Sequence, residues 1–242
     1  MSYQQMAQVY DRLMADAPYD QWKNFTTEMI RSYHPDTRSI LDLGCGTGEI
    51  TRRLRTDGYQ LTGVDLSAEM LSIAEQKATD DIQWLKQDIT RLEGLQHYDC
   101  VISYCDVMNY LTEESQVQAA INNAYHALNQ NGLFLFDVHS KEHMEAHLMG
   151  ETFAEVYDDL SYVWFCDPGE EEGSVIHDLT FFVQQEDQYV RFDEQHEQRA
   201  YAAKDIINWI EEAGFVLKRM TADFDTQPKT DGNRLFFVCQ KV

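Results

Sequence analysis

Short runs of β-forming residues alternate with helical stretches along most of this chain. The runs are Ser39 to Leu43, Gln60 to Asp65, Ile82 to Leu85, Asp99 to Tyr104 and Gly132 to Val138. Strands separated by helices pair in parallel, because each helix returns the chain to the starting edge of the sheet. The pattern therefore predicts an α/β fold with a doubly wound, Rossmann-like sheet.

Capping residues mark the ends of several predicted helices. Ser67 is expected to cap a helix that runs to about Ala78, and Thr112 one that runs to Leu128. Gly132 and Gly214 stand where helix-terminating glycines belong.

The pattern changes from about Glu155 to Tyr201, where long runs dense in aromatic and β-branched residues are broken at 167–169 and 184–188. We expect an antiparallel meander there, followed by a helix and two closing strands. With 43% apolar residues, the chain can bury one core. The prediction is a single domain over 1–242, with a helical cover at 1–36 and a β insertion at 150–201 over the active site.

The charge balance limits the partners. Forty-two acidic and nineteen basic residues give a net charge of -23, which repels phosphate backbones and anionic membranes. The basic residues at 52, 53 and 55 are interpreted as one solvated helix face. We expect no nucleic-acid or membrane partner, and the oligomeric state stays open.

The cysteines and the N-terminal residues indicate a compartment. Five cysteines contain no CxxC pair, so neither a disulfide framework nor a zinc site fits. Charged residues at 11, 12 and 16 argue against a signal peptide, and no apolar run is long enough to span a bilayer. We expect a cytoplasmic protein.

A glycine-rich turn joins the first predicted strand to a helix. Its sequence is Asp42-Leu43-Gly44-Cys45-Gly46-Thr47-Gly48, followed by Glu49. Glycines allow the backbone to approach a ligand closely. The dinucleotide pattern GxGxxG needs a small residue at position 49, and a carboxylate there is a poor neighbour for a pyrophosphate. The loop therefore favours a ligand without phosphates, whose ammonium group Asp42 can meet.

A second acid follows at the end of the next strand. Asp65 ends the run Gly63-Val64-Asp65, at the carboxyl edge beside the glycine loop. A carboxylate there can bind both hydroxyls of a ribose. The pair of features predicts a nucleoside ligand with an amino-acid tail.

These residues resemble the class I S-adenosylmethionine-dependent methyltransferase family. The resemblance rests on 40–48, on Val64-Asp65, on Gln87-Asp88-Ile89 and on 129–136. It implies S-adenosyl-L-methionine as cofactor and a seven-stranded, mostly parallel sheet of order 3-2-1-4-5-7-6. The cofactor-binding residues that we expect are Tyr10, Tyr19, Asp42, Gly44, Cys45, Gly46, Gly48, Asp65, Leu66, Met70, Asp88, Ile89, Ser103 and Tyr104.

The resemblance implies a role for each part of this set. The glycine loop would hold the methionine end, and Asp88 with Ile89 the adenine. Ser103 and Tyr104 would lie beside the sulfonium. Met70 would contact the adenine, although its spacing also suits a core residue, and the two tyrosines near the N-terminus would close over the cofactor or simply pack.

The acceptor should lie beyond the carboxyl ends of the fourth and fifth strands. His139 is the candidate general base, because imidazole titrates near neutrality, but it could instead cap the next helix. Asp106 could orient an amine, and Asn109 could bind the acceptor or end a turn. These three are the catalytic candidates.

Two further polar patterns remain open. His139, His143 and His147 recur every four residues, which suggests a metal site or, as we prefer in the absence of HExxH, a solvated helix face. No metal is therefore predicted. The run 193–199 alternates faces, so that Glu194, His196 and Gln198 point one way, towards the acceptor or towards solvent.

The sequence thus predicts methyl transfer to a small molecule at nitrogen, oxygen or carbon, by in-line displacement. A protein or RNA acceptor is the alternative enzyme function. A non-catalytic cofactor-binding subunit and a dehydrogenase are the other two hypotheses.

Overall fold

The computed structural model of the chain describes residues 3–78 and 81–242. The helices are α1 (Tyr3–Leu13), α2 (Tyr19–Tyr33), α3 (Glu49–Thr56), α4 (Ala68–Lys77), α5 (Glu114–Ala127), α6 (Lys141–His147) and α7 (Ala203–Glu212). The strands are β1 (Ser39–Leu43), β2 (Gln60–Asp65), β3 (Gln83–Lys86), β4 (Tyr98–Ser103), β5 (Leu128–His139), β6 (Thr152–Val156), β7 (Leu160–Pro168), β8 (Ser174–Gln185), β9 (Gln188–Arg199), β10 (Phe215–Ala222) and β11 (Arg234–Lys241). None of the helices in the described ranges has the length and apolar character that crossing a bilayer requires.

Seven strands form one sheet in the order β3-β2-β1-β4-β5-β11-β10. All neighbours from β3 to β5 pair in parallel, while β11 is antiparallel to both β5 and β10. Counted within this sheet, the order is the predicted 3-2-1-4-5-7-6. The doubly wound fold is therefore confirmed, with the expected antiparallel strand near one edge.

The strands of the sheet centre are buried on both faces. On one face Leu41 and Phe134 pack with Ile121 of α5 and Ile210 of α7. On the other, neighbouring strand residues such as Ile40 pack against α2 and α3. Because side chains alternate across a strand, two helical layers are needed to cover such runs.

The remaining four strands form a second sheet of order β6-β7-β8-β9, antiparallel throughout. Val9 of α1 packs with Leu160 and Phe181 of this sheet. Met144 of α6 packs with Cys166 and Val175. The two helices thus hold one face of the four-stranded sheet against the carboxyl ends of the parallel strands.

Two of the four predicted helix-capping residues, Thr112 and Gly132, do not cap a helix. Helix α5 begins after Glu113, whose side chain caps it in a reciprocal box with Gln116, so Thr112 is not the cap. Gly132 lies inside β5, because the backbone is already extended at Leu128. Ser67 does cap α4, and Gly214, at φ +93°, follows the last turn of α7.

The Trp84 ring of β3 packs against the backbone of the glycine loop and of β2. A Cβ built on Gly63 of β2 would lie 2.5 Å from the Trp84 ring, and one built on Gly48 would lie 2.6 Å from it. Gly48, at φ +77°, therefore requires glycine for space and for backbone shape, whereas Gly63 lies in an extended strand and requires it for space alone. The indole links β2, β3 and the start of α3 under the loop.

Gly63→Ala tests this close approach. Alanine favours an extended strand over glycine by about 0.5–1 kcal/mol, but overpacking costs about 1–3 kcal/mol, so we expect net destabilisation in urea unfolding. Adding Trp84→Leu should make the Gly63→Ala change less costly, because the clashing ring is gone. Equal costs in the two backgrounds would contradict the packing argument.

Candidate active site

A cavity of about 860 Å³ lies between the carboxyl ends of the parallel strands and the inner face of the four-stranded sheet. Its volume is within the ~300–1,000 Å³ typical of small-molecule sites. One end, the glycine-loop half, is lined by Gly44, Cys45, Gly46, Asp65, Leu66, Met70, Asp88 and Ile89. The other end, the histidine half, is lined by Asp106, Tyr110, His139, His143, Trp164, His177, His196, Gln198 and Arg234.

The glycine loop turns away from β1 through left-handed backbone. Gly44, Gly46 and Gly48 have φ values of +76°, +54° and +77°, which L side chains rarely adopt. A Cβ at Gly44 would collide with Val107, whereas one at Gly46 would meet nothing within 4 Å. The space beside Gly46 is thus open for a ligand to contact the backbone.

Asp65 is held in place by the same loop. Its Oδ2 accepts a hydrogen bond from the Gly46 N–H at 2.8 Å, and its Oδ1 accepts one from the Ser67 N–H at 2.8 Å. Burial raises the pKa of this carboxyl, while the backbone donors act in the opposite direction. The carboxylate borders the cavity in one orientation, which suits recognition of a diol.

Asp42 lies at the bottom of the loop and is almost completely buried. Its Oδ2 accepts a hydrogen bond of 2.6 Å from the Thr51 hydroxyl. Burial raises the pKa of Asp42 from its ordinary 3.8 to about 7, because the ionised form loses hydration. A ligand ammonium at the loop would favour the ionised form.

The far end of the glycine-loop half is mostly apolar. Met70 and Ile89 are buried there, and Leu66 is 63% exposed. Asp88 accepts hydrogen bonds on Oδ1 from the Thr90 N–H and hydroxyl, and so caps the 3₁₀ turn Ile89–Arg91. The Met70 side chain borders the cavity and is 7% exposed, a position that is compatible with a ligand contact and with burial in the interior.

Three tyrosines border the middle of the cavity. Tyr10 of α1 and Tyr19 of α2 lie on the side of the N-terminal helices, and burial raises the pKa of each phenol. The Tyr104 hydroxyl accepts a hydrogen bond from the Thr26 hydroxyl at 2.9 Å. The structure thus brings all three predicted tyrosines to the cavity.

Arg234 connects the charged groups of the histidine half. Its Nη1 donates to Asp137 Oδ1 at 3.0 Å, and its Nη2 donates to Asp106 Oδ1 at 2.9 Å. The same Nη2 lies 3.3 Å from His139 Nε2, and Asp106 Oδ1 lies 3.5 Å from that nitrogen. A guanidinium between two carboxylates is well suited to hold both in fixed positions.

The ionisation states follow from this arrangement. Burial would raise the pKa of Asp106, but the nearby His139 and the Arg234 guanidinium hold it below the usual value. Burial lowers the pKa of His139, and Arg234 acts in the same direction. At neutral pH the site therefore pairs an ionised Asp106 with a neutral imidazole.

Three predicted site residues do not line the cavity. The Ser103 hydroxyl donates to the Leu43 carbonyl between two strands, and Gly48 packs on Trp84. Asn109 is buried, accepts a hydrogen bond from the His139 N–H and donates one to the Arg199 carbonyl. Asn109 therefore anchors the backbone around His139, because both ends of its amide are occupied by the protein itself.

The three rings of the histidine pattern lie in one row, with centroids 4.9 Å apart for His139 and His143 and 5.3 Å apart for His143 and His147, but His139 lies outside the helix. His139 ends β5, and Ser140 caps α6 by accepting a hydrogen bond from the His143 N–H. The His139 and His143 rings stack at 4.9 Å, and both border the cavity, whereas His147 is exposed. The solvated-face interpretation therefore holds only for His147. Within residues 3–78 and 81–242 no group of acidic, histidine and cysteine side chains suits a metal ion.

Sequence reasoning missed several residues of the histidine half. Arg234, Asp137, Trp164 and His177 were not singled out, although Gln198 lay on a face considered for the acceptor. Arg234 is the β11 residue opposite His139 of β5. The sequence predicts both strands, but only their antiparallel register brings this arginine to the histidine.

Comparison with known proteins places the chain in a family. Residues 40–132 match the model of a methyltransferase domain. YqeM of Bacillus subtilis (strain 168), whose name assigns it to the methyltransferases, is 44% identical over 100% of this chain and 98% of its own length. The chain belongs to the class I S-adenosylmethionine-dependent methyltransferases. This methyltransferase is therefore an enzyme whose cofactor is S-adenosylmethionine, and the dehydrogenase and non-catalytic hypotheses are wrong.

Solved structures agree with this assignment. The methyltransferase is similar to an S-adenosylmethionine-dependent methyltransferase from Clostridium acetobutylicum ATCC 824, with a TM-score of 0.89, 28% identity and 98% of each chain covered. CalS10, an amino pentose methyltransferase from Micromonospora echinaspora, shares the fold at a TM-score of 0.80 and 17% identity, over 97% of each chain.

The residues of the glycine-loop half fit this cofactor. The loop leaves open space beside Gly46, and Asp65 offers a fixed carboxylate. Glu49 begins α3 and is ion-paired with Arg52, Arg53 and Lys77. A phosphate at that helix start would face a carboxylate whose partners are already engaged, so the half suits a nucleoside without phosphates.

Asp65→Ala should raise the Kd of S-adenosylhomocysteine by about tenfold or more, since a charge-assisted hydrogen bond is worth ~1.5–3 kcal/mol and tenfold is 1.4 kcal/mol. Calorimetric titration measures the change. Glu69→Ala is the matched control, because Glu69 lies on the same segment and does not line the cavity. An unchanged Kd for Asp65→Ala would remove the ribose role.

The raised pKa of Asp42 predicts a pH dependence of stability. The folded chain keeps the Asp42 proton up to about pH 7, whereas the unfolded chain loses it near the ordinary value of 3.8. The folded state then binds more protons, so this group's contribution to stability falls as pH rises through that window. Asp42→Asn should flatten the fall in thermal unfolding scans. Parallel pH curves for the two proteins would contradict the raised pKa.

Proposed function

We propose that this methyltransferase acts on a small-molecule acceptor, at a nitrogen, oxygen or carbon atom. The observation that carries the proposal is one continuous cavity of about 860 Å³ that runs from Asp65 to His139 and lies under the four-stranded sheet. A cavity of that size can hold the cofactor and a second small molecule side by side.

We assign each part of the cofactor to the residues that line one part of the cavity. The glycine loop with Asp42 would hold the methionine end, and Asp65 the ribose. Asp88 and Ile89, with Leu66 and Met70, would hold the adenine. Tyr10, Tyr19 and Tyr104 would enclose the reactive centre between the two halves.

Methyl transfer needs alignment more than acid catalysis. S-adenosylmethionine supplies an electrophilic methyl group on a cationic sulfur. A neutral nucleophile gains from an ordered site, and positioning alone can contribute ~7–11 kcal/mol. In the histidine half, Asp106 and Arg234 form a rigid charged pair that can orient a polar group of the acceptor.

His139 is the proposed base for an acceptor that must lose a proton. It is neutral at neutral pH, borders the cavity, and presents Nε2 close to Asp106 and Arg234. After accepting a proton at Nε2, the imidazolium would be stabilised by the Asp106 carboxylate. Asp106 thus keeps its proposed catalytic role, whereas Asn109 acts on the His139 backbone and not on the acceptor.

The N-terminal helices and the insertion complete the proposal. The expected cover, 1–36, includes α1 and α2, of which Tyr10 and Tyr19 border the cavity; residues 1 and 2 lie outside the described part of the chain. The expected insertion, 150–201, includes the four-stranded sheet over the histidine half. We propose that both belong to a single methyltransferase domain.

The five free cysteines support a reducing, cytoplasmic location for the protein.

A protein or RNA acceptor fits the site less well. Among the residues found to line the cavity, Arg234 is the one arginine or lysine side chain, and two carboxylates hold it. A phosphate backbone would also meet a net charge of -23. The charge of the chain therefore disfavours RNA, and the volume of the cavity fits a small acceptor.

Methyl-labelled S-adenosylmethionine distinguishes these acceptors. The enzyme is incubated with the cofactor and one of three fractions, namely metabolites that pass a small-pore filter, protein, or RNA. We expect label in the filterable fraction only. Label that appears in the protein or RNA fraction instead would overturn the small-molecule proposal.

His139→Ala should lower kcat by about 100-fold or more for an acceptor that must be deprotonated, which is the usual size of general-base catalysis, while the Kd of S-adenosylhomocysteine stays within about twofold. His147→Ala on the exposed part of α6 is the matched control. Equal turnover of the His139 variant and the wild type on the labelled acceptor would exclude His139 from the mechanism.

A further inference from the structure

A chain of hydrogen bonds crosses from the four-stranded sheet to Asp106. Trp164 of β7 donates through Nε1 to His177 Nδ1 of β8 at 3.1 Å. His177 Nε2 lies 3.2 Å from Gln198 Oε1 of β9. Gln198 Nε2 donates to Asp106 Oδ2 at 2.7 Å. Each of the last three strands of the sheet thus supplies one member.

The direction of this chain is determined at both ends. An indole N–H only donates, so His177 Nδ1 must accept and carries no proton. In a neutral imidazole the proton is then on Nε2, which donates to the Gln198 carbonyl oxygen. An ionised carboxylate only accepts, so the Gln198 amide nitrogen must face Asp106. Only one tautomer and one amide orientation satisfy every group.

The surroundings of His177 and Gln198 keep this series of hydrogen bonds in the same orientation. His177 and Gln198 are each about 5% exposed, and burial lowers the pKa of His177, so the imidazole stays neutral near pH 7. Protonation at Nδ1 would break the bond from Trp164. Cys166, whose Sγ lies 3.5 Å from Nδ1, is a much weaker partner than the indole.

We propose that Trp164, His177 and Gln198 position the Asp106 carboxylate for the reaction, so that the inserted sheet is part of the active site as well as its cover. Arg234 holds Oδ1 and Gln198 holds Oδ2, which leaves the carboxylate no freedom to rotate. The orientation of Asp106 then sets how its charge acts on His139 and on the acceptor. The three residues are positioning residues, because they act through Asp106.

NMR of the histidine ring nitrogens tests this series of hydrogen bonds directly. The spectra are recorded with S-adenosylhomocysteine bound in the glycine-loop half. His177 should be a single tautomer with the proton on Nε2, and Trp164→Phe should convert it to a mixture. A proton on Nδ1 of His177 in the wild type would overturn the proposal.

The pH titration of the His139 ring tests the effect on Asp106. The Gln198 N–H stabilises the negative charge of Asp106, and His177 holds Gln198 in the orientation that donates it. Without that donor, the Asp106 carboxylate stabilises the protonated form of His139 more strongly. The midpoint of the His139 titration should therefore rise in both His177→Leu and Gln198→Met. His177→Gln retains a donor at the Nε2 position and should restore the wild-type midpoint. The groups that act on His139 from neighbouring elements are Asp106, Arg234, His143 and Asp137.

Thr180→Val is the matched control, since Thr180 lies on β8 three residues from His177 and bonds Asp193 on the outer face. Its midpoint should equal that of the wild type. If His177→Leu and Gln198→Met also leave the midpoint unchanged while the fold is intact, the chain does not position Asp106. The two variants remove members on different strands, so failure of one to fold leaves the other as the test.

The consequence for turnover rests on the proposed function. Label transfer to the filterable fraction should fall about tenfold or more in His177→Leu, about 1.4 kcal/mol, and by less than twofold in Thr180→Val. Loss of transfer in every fraction by the wild type would contradict the proposed function but leave the NMR result standing. Full transfer by His177→Leu despite a shifted His139 would refute the positioning role alone.

Discussion

The buried carboxylate of Asp137 on β5 is bonded to three other parts of this enzyme at once: α2, the loop after β4 and β11. Its Oδ2 accepts a hydrogen bond from the Trp22 indole of α2, and its Oδ1 accepts one from the Asp106 N–H at 2.8 Å and one from Arg234 of β11 at 3.0 Å. A fully buried carboxylate is costly unless it is paired and hydrogen-bonded. Helix α2, the loop after β4 and strand β11 must therefore all be in place around β5.

This constraint explains the unusual backbone beside it. Cys105 and Asp106 have φ values of +59° and +54°, which cost energy for residues other than glycine and persist only where the surroundings impose them. The bond from the Asp106 N–H to Asp137 supplies that restraint. The result is an Asp106 side chain that faces the cavity, between Arg234 from one side and Gln198 from the other. Folding of the core and preorganisation of the site thus depend on the same ionic contacts.

The sequence predicts the residues of the glycine-loop half better than those of the histidine half. The positions of Asp65 and the glycine loop follow from the order of strand, turn and acid along the chain, because in any parallel sheet the ends of neighbouring strands lie side by side. Asn109 was placed beyond the end of β4 by the same argument, and Ser103 was placed at the end of β4 by the family resemblance. Position along a strand does not determine which way a side chain points, so both turned out to bond the protein instead of facing the cavity. Arg234 was missed because its partners lie 97 and 128 residues away along the chain.

The sequence by itself determined the class of fold and the kind of ligand, since both depend on short-range patterns: alternation of strands and helices, glycines where the backbone must turn sharply, and the spacing of acids at strand ends. The strand order and the identity of the cofactor followed from the resemblance of these motifs to a known family. It also located the insertion between β5 and α7. Only the tertiary structure decided which polar residues act together. The group of Asp106, His139 and Arg234, and its link through Gln198 and His177 to the four-stranded sheet, depend on strand register and on the packing of two sheets. Those contacts join distant segments, and no local preference of the chain specifies them.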